Sequence, residues 1–353
     1  MSENEETDKK DKPDAAEKAK LPDHSRGPSE EELRDGFRKM RRLEWMTLAY
    51  QVGAAVLIVS LAGGSQAMKT EWMENALAIV PAAGALITFD TENRSEQTKH
   101  PFGNHRVGTI AFMAAAFALA GIGAFLFYDN LSNLIKGERP SIGGFPLFGH
   151  TIWHGWLMIV VMALTAVPPI LLAKAKIPVA RLLHDKPLYA DAEMNQANWL
   201  TNGAGVIGLG LVAGGFWWGD ALAALLISLD VLRDGYTNVR RSLADVMDRS
   251  PVDLETDKPE AIVDDVRQAV RALPFVADAQ ILMREHGRYL FAEIFIRPHP
   301  TRMPADVTDA TRQVRQAVLP LDWRFQHVAV EFTGDVKAAS DVLTREELQI
   351  EAK

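Results

Sequence analysis

The sequence predicts an α-helical membrane protein with six transmembrane helices, followed by a C-terminal cytoplasmic α+β domain. Three observations carry this expectation. Charged residues crowd the two ends and are sparse through a long middle region, although mean hydropathy over the chain is −0.04. That middle region holds five or six stretches close to the ~20 residues a helix needs to cross a hydrocarbon layer. Beyond Pro251 the apolar residues adopt the short periodicities of a soluble fold.

Taken in order, residues 1–36 predict a disordered tail, because acids, lysines and prolines leave little apolar surface to bury. Residues 37–250 form the expected transmembrane domain. Trp45–Leu61, Val107–Tyr128 and Thr151–Ala173 carry no Asp, Glu, Lys or Arg. Trp72–Phe89 is apolar except for Glu74 and Asn75, and Pro81 should kink it by removing a backbone donor. Leu188–Phe216 opens on the polar run LYADAEMNQANW, and Ala221–Leu232 is interrupted by Asp230. Six spans put both termini on one side. Lys and Arg in the flanks and in the second and fourth connections number fourteen, against Lys69, Lys136 and Arg139 in the others, so both ends should face the cytoplasm of a cell inner (plasma) membrane.

Residues 255–335 read as helix, strand, strand, helix, strand. Ile262, Val263, Val266 and Val270 have helical spacing; a His286-Gly287 turn joins Ala279–Met283 to a strand whose Leu290, Ala292, Ile294 and Ile296 share one face. A helix near 305–319 and a strand from His327 to Phe332 complete a small sandwich with both helices on one sheet face, leaving the other available for self-association. Residues 336–353 are a C-terminal tail.

Composition narrows the chemistry. A net charge of −8 argues against a strongly basic nucleic-acid binder, and the absence of cysteine removes disulfides and thiolate metal sites. No nucleophile–base pair or metal-hydrolase motif stands out, so no enzymatic activity and no cofactor are expected. Polar groups inside spans are the informative positions, since each central carboxylate costs about 2.5–3.5 kcal/mol to insert. Asp191, Met194, Asn195 and Asn198 fall at i, i+3, i+4 and i+7 on one helical face. Glu74 is the only carboxylate of the second predicted span. At 1.5 Å per residue it lies about 22 Å from the Phe89 end, and Asn198 lies about 21 Å into the fifth helix from the same side, so the two should share a level. Asp191 should sit about 10 Å nearer the cytoplasm.

The connection HPFGNHR (His100–Arg106), the segment LYADAEMNQANWLTNGA, the acidic start of WWGDALAALL at Asp220 and the exit SLADVMDRSP together resemble the cation diffusion facilitator family, over roughly residues 40–335. The resemblance implies a ferredoxin-like C-terminal domain, a homodimer, and exchange of a divalent metal cation for protons by alternating access. The implied ligand positions are Glu74, Ala78, Met194 and Asn198. Only Glu74 of these is ionisable, which weakens a zinc assignment and favours harder ions, within a class of Zn, Mn, Fe or Co. Asn75, Asp191 and Asn195 can complete the set, with Asp191 as a mouth ligand or proton carrier. His100 and His105 are read as parts of a structural loop, and His286, His299 and His327 as surface histidines. The expected function is proton-coupled efflux of divalent metal across the bilayer; the alternative is a non-transporting scaffold or metal sensor that keeps the fold.

Overall fold

The structure is a computed structural model and describes residues 27–92, 100–139, 141–147, 150–302, 304 and 306–336. The first helix, α1 (Glu30–Leu61), starts inside the segment expected to be tail. Its start is set by a capping box: Ser29 Oγ accepts from Glu32 N at 3.2 Å while Glu32 Oε2 accepts from Ser29 N at 2.7 Å. Residues 1–26 and 337–353 of the expected tails lie outside the described residues.

The second rod is two helices, α2 (Gln66–Leu77) and α3 (Ile79–Glu92). The interruption at Ala78 follows from Pro81, which has no N–H to donate to the Leu77 carbonyl four residues back. The third is α4 (Val107–Lys136), ended by Gly137 at φ +69°. A hairpin absent from the sequence expectation follows, β1 (Gly144–Leu147) paired with β2 (His150–Trp153), so residues 151–153 are strand rather than span. The fourth rod is α5 (His154–Thr165) and α6 (Val167–Leu183), divided ahead of Pro168 and Pro169. Pro169 cannot bond the Thr165 carbonyl, and Tyr50 of α1 donates its hydroxyl there at 2.5 Å.

The last two rods are α7 (Lys186–Ala213) and α8 (Gly219–Val246). The latter continues fourteen residues past the expected end at Leu232, because Arg233 is exposed on the helix surface and does not terminate it. Four rods, 30–61, 66–89, 107–136 and 154–183, are long and apolar enough to cross a membrane among the described residues. α7 and α8 match them in length but carry too many polar groups to qualify by composition. Gly123 and Gly235 bring α4 and α8 into backbone contact: a Cβ at Gly235 would lie 2.4 Å from Ala120 N.

The C-terminal domain follows the expected order: α9 (Ile262–Arg271), β3 (Val276–His286), β4 (Tyr289–Pro298), α10 (Val307–Val318) and β5 (Phe325–Phe332). β3 and β4 are antiparallel around Gly287, and β5 adds in parallel to β4. Val266 and Val270 of α9 and Val314 and Val318 of α10 bury against Leu290, Ala292, Ile294 and Ile296, the predicted inner face of β4. The opposite face is not wholly open, because residues 102–105 cover one end of it.

Candidate functional site

The site begins with how α2 and α8 are set level. Asp220, fully buried in the first turn of α8, accepts from Ser65 Oγ and Gln66 N, both at 2.6 Å, and from Ala67 N at 3.3 Å. A carboxylate at a helix N-terminus satisfies orphan N–H groups and meets the positive end of the helix dipole. One turn further in, Asn130 of α4 donates to Thr70 Oγ1 at 3.1 Å and to the Ala224 carbonyl at 3.2 Å. Three helices are thereby fixed in register.

Glu74 lies eight residues past Gln66, in the last turn before the Ala78 interruption. All six residues singled out in the sequence, Glu74, Asn75, Asp191, Met194, Asn195 and Asn198, line one cavity. The Asn198 amide sits between two acceptors, the Met194 carbonyl at 3.1 Å and Glu74 Oε1 at 3.2 Å, which assigns its nitrogen to that side. The expected common level of Glu74 and Asn198 is therefore a direct contact. Glu74 Oε2 is buried without a hydrogen-bond partner.

The other four residues differ in availability. Asn75 Nδ2 donates back to the Glu71 carbonyl at 2.9 Å, and Asn195 Nδ2 donates to the Asp191 carbonyl at 2.9 Å and to Asp191 Oδ2 at 3.0 Å. Met194 Sδ accepts from Asn238 Nδ2 at 3.5 Å. Asp191 is not a lone mouth carboxylate: Lys176 Nζ lies 2.5 Å from its Oδ2 and 3.0 Å from Glu44 Oε1. Lys176, read in the sequence as a connection residue, is fully buried, and Glu44 is only 1% exposed. Two carboxylates share one ammonium. Asp191 lines both the Glu74 cavity and a second cavity that opens toward Arg288 of the C-terminal domain, so the triad stands between them.

Several site residues escaped the sequence reading. Glu71 is buried one turn before Glu74, so Glu74 is not the only carboxylate of its helix. Gln51 of α1, 2% exposed, and Asp230 and Asp234 of α8 line the Glu74 cavity. The available signal was Asp230-x-x-x-Asp234, two acids on one helical face.

Between bundle and C-terminal domain, ligand atoms of His184, Glu260 and Glu285 lie within 4.8 Å of one another. These carboxylates already have cations: Lys186 pairs with Glu285, and Arg324 pairs with Glu260 at 2.5 Å. Burial pushes the Glu285 carboxyl up, but His184 and Lys186 outweigh it and hold the group below the usual range. Arg288 pairs at 2.9 Å with Asp185, the residue that caps α7 by accepting from Leu188 N. The cluster is an ion-paired joint.

The HPFGNHR loop forms a second joint. His105 packs on Tyr289 with ring centroids 4.5 Å apart, and Phe102 meets His327 edge-on. Arg106 pairs with Asp248 and donates to His286 Nε2 at 2.7 Å, which requires a lone pair on that nitrogen. His286 is thus a packed interdomain residue rather than a surface histidine. Burial, then the nearby Arg106 and Arg284, push its pKa down to about 4 against the pull of Asp248.

The family model of the cation efflux transmembrane domain matches residues 46–247, more than half of the chain. Among curated proteins, a cation-efflux pump FieF of Salmonella schwarzengrund is 24% identical over 279 residues, covering 77% of this chain and 86% of that protein. A cation-efflux pump FieF of Salmonella arizonae is 25% identical over 260 residues, covering 72% and 79%.

Proposed function

The chain belongs to the cation efflux, or cation diffusion facilitator, family, and on that premise we propose that it exports divalent metal cations from the cytoplasm in exchange for protons, by alternating access. In this reading all six rods span a cell inner membrane with both termini cytoplasmic, and the protein works as a homodimer. The transported ion belongs to the Zn, Mn, Fe or Co class. The observation that carries the reading is the approach of Glu74 and Asn198 across α2 and α7, in a cavity at the depth of the bundle where a carboxylate is costly without a cation.

The residues divide the work as follows. Metal passes the Glu44–Lys176–Asp191 triad from the C-terminal-domain side and reaches Glu74. Binding there replaces the Asn198–Glu74 hydrogen bond, and a half-turn of the amide presents the Asn198 oxygen to the ion. Met194, Asn75 and Asn195 line the same space; Met194 Sδ is held by Asn238, while Asn75 and Asn195 anchor their amide nitrogens on Glu71 and Asp191 and leave their amide oxygens to reach the ion. Once metal leaves on the far side, Glu74 takes up a proton for the return. Purified protein in sealed vesicles should accumulate divalent metal when a pH gradient is imposed and stop when it is collapsed. Metal-independent behaviour of the vesicles under both conditions would leave the scaffold reading standing instead.

A further inference from the structure

We propose that Asp230 and Asp234 of α8 are direct ligands of the transported cation, completing with Glu74 an all-oxygen site for a hard divalent ion of the Mn²⁺ class. The inference rests on the transport reading above and extends it to ligands and to ion class.

The register of the helices sets Asp230 within about 3 Å of the level of Glu74, with Asp234 one turn deeper on the same face. Asp220 at the start of α8 binds the start of α2, and Asn130 ties Thr70 to Ala224, each four residues further in. Counting from those paired starts, Glu74 lies about 12 Å into α2, and Asp230 and Asp234 lie about 15 and 21 Å into α8. The two aspartates share one helical face by their spacing of four and line the same cavity as Glu74.

Both are half-buried, and their lack of close partners distinguishes them from the ion-paired acids of the interdomain joint. Among the described residues neither Asp230 nor Asp234 has a hydrogen bond or a close ion pair, and the exposed Arg233 between them attracts both only at longer range. A second, independent feature points into the same space: Gln51, 2% exposed, lines the cavity with its Oε1 lacking any hydrogen-bond donor. An orphaned buried amide oxygen forfeits the hydrogen bond it would have in water. Glu74, Asp230, Asp234 and this oxygen line one cavity, and among the described residues none of the three carboxylates has a close cationic partner, which is an arrangement a divalent ion would neutralise.

The donor set selects the ion. Among the described residues no histidine lines the cavity, the chain has no cysteine, and the soft donor there, Met194 Sδ, is engaged by Asn238. Carboxylate and amide oxygens suit ions that take six oxygen ligands, whereas zinc favours four donors rich in nitrogen or sulfur.

The test uses full-length protein, titrated with Mn²⁺ in detergent and assayed for Mn²⁺ and Zn²⁺ uptake in vesicles with a pH gradient. Asp230→Asn and Asp234→Asn should each weaken Mn²⁺ binding by about tenfold or more, since affinity at oxygen sites follows ligand charge. The double variant should be as inactive as Glu74→Gln, and Asp234→His should move preference toward Zn²⁺. Neutralising a buried acid removes an insertion cost, so these variants should stay monodisperse; if the double variant does not, the single variants decide. A double variant with normal Mn²⁺ uptake beside an inactive Glu74→Gln would remove α8 from the site while leaving the transport reading intact. Wild-type protein that moves Zn²⁺ but not Mn²⁺ would refute the ion class. Wild-type protein that moves neither would refute the transport reading and the ligand role with it.

Discussion

The protein keeps two sets of buried and half-buried acids, and they are treated in opposite ways. At the joint between the helical bundle and the C-terminal domain, Glu260 has Arg324, Glu285 has Lys186 and Asp185 has Arg288 as a fixed cation. In the cavity between α2, α7 and α8, Glu74 has an amide on one oxygen and nothing on the other, and Asp230 and Asp234 have no ion pair. A buried charge without a partner is expensive, so a chain that pairs its acids in one place and leaves them unpaired in another separates structure from traffic. The Glu44–Lys176–Asp191 triad lies between these cases, with one lysine for two acids.

The comparison can be broken most severely at the triad. Lys176→Met leaves Glu44 and Asp191 buried with no counter-ion and should cost about 3–5 kcal/mol, read as a lowered unfolding midpoint in detergent. Adding Glu44→Gln should restore part of that loss; no restoration would mean Lys176 acts through packing of its stem. At the interdomain joint, Arg324→Ala should cost about 2 kcal/mol, from lost charged hydrogen bonds to Glu260 and Asp322. It should leave metal affinity unchanged, and an affinity shift would blur the distinction between the two sets.

A smaller effect follows from His286, whose pKa is near 4 in the folded protein and near 6.5 when exposed. A depressed value means that the docked state holds the neutral ring. Its contribution is therefore complete above about pH 6.5 and declines as pH falls toward 4. Melting temperature should drop more steeply over that window in the wild type than in His286→Gln. Parallel slopes would assign the acid sensitivity to other groups.

How much of this was legible depended on whether the signal was local. The C-terminal domain was, because alternation through Leu290–Ile296 and helical spacing through Ile262–Val270 are periodic features that tertiary structure did not override. So was the α7 face from Asp191 to Asn198, which lines one cavity. What escaped were charges at the ends of apolar runs. Glu44 precedes Trp45, Glu71 precedes Trp72 and Lys176 lies three residues past Ala173, so each read as lying at or beyond the limit of a span, while helices running further carry them inside the bundle. Their partners lie far off in sequence, as Glu44 and Lys176 do, and pairing at that separation leaves no pattern in the chain. Asp234 was hidden for the same reason, since Arg233 looked like the end of a membrane helix, whereas Asp230 was visible as an interruption of its apolar run but without the cavity it lines.

The claim that unpaired carboxylates handle the moving ion meets its most direct test in vesicle uptake by Glu74→Gln and Asp191→Asn, measured side by side under one pH gradient. The account predicts that Glu74→Gln abolishes metal flux with its fold intact, while Asp191→Asn, which loses one acid of a triad that retains Glu44 and Lys176, keeps a reduced flux. Normal flux in Glu74→Gln beside an inactive Asp191→Asn would contradict it and move the binding site onto the triad.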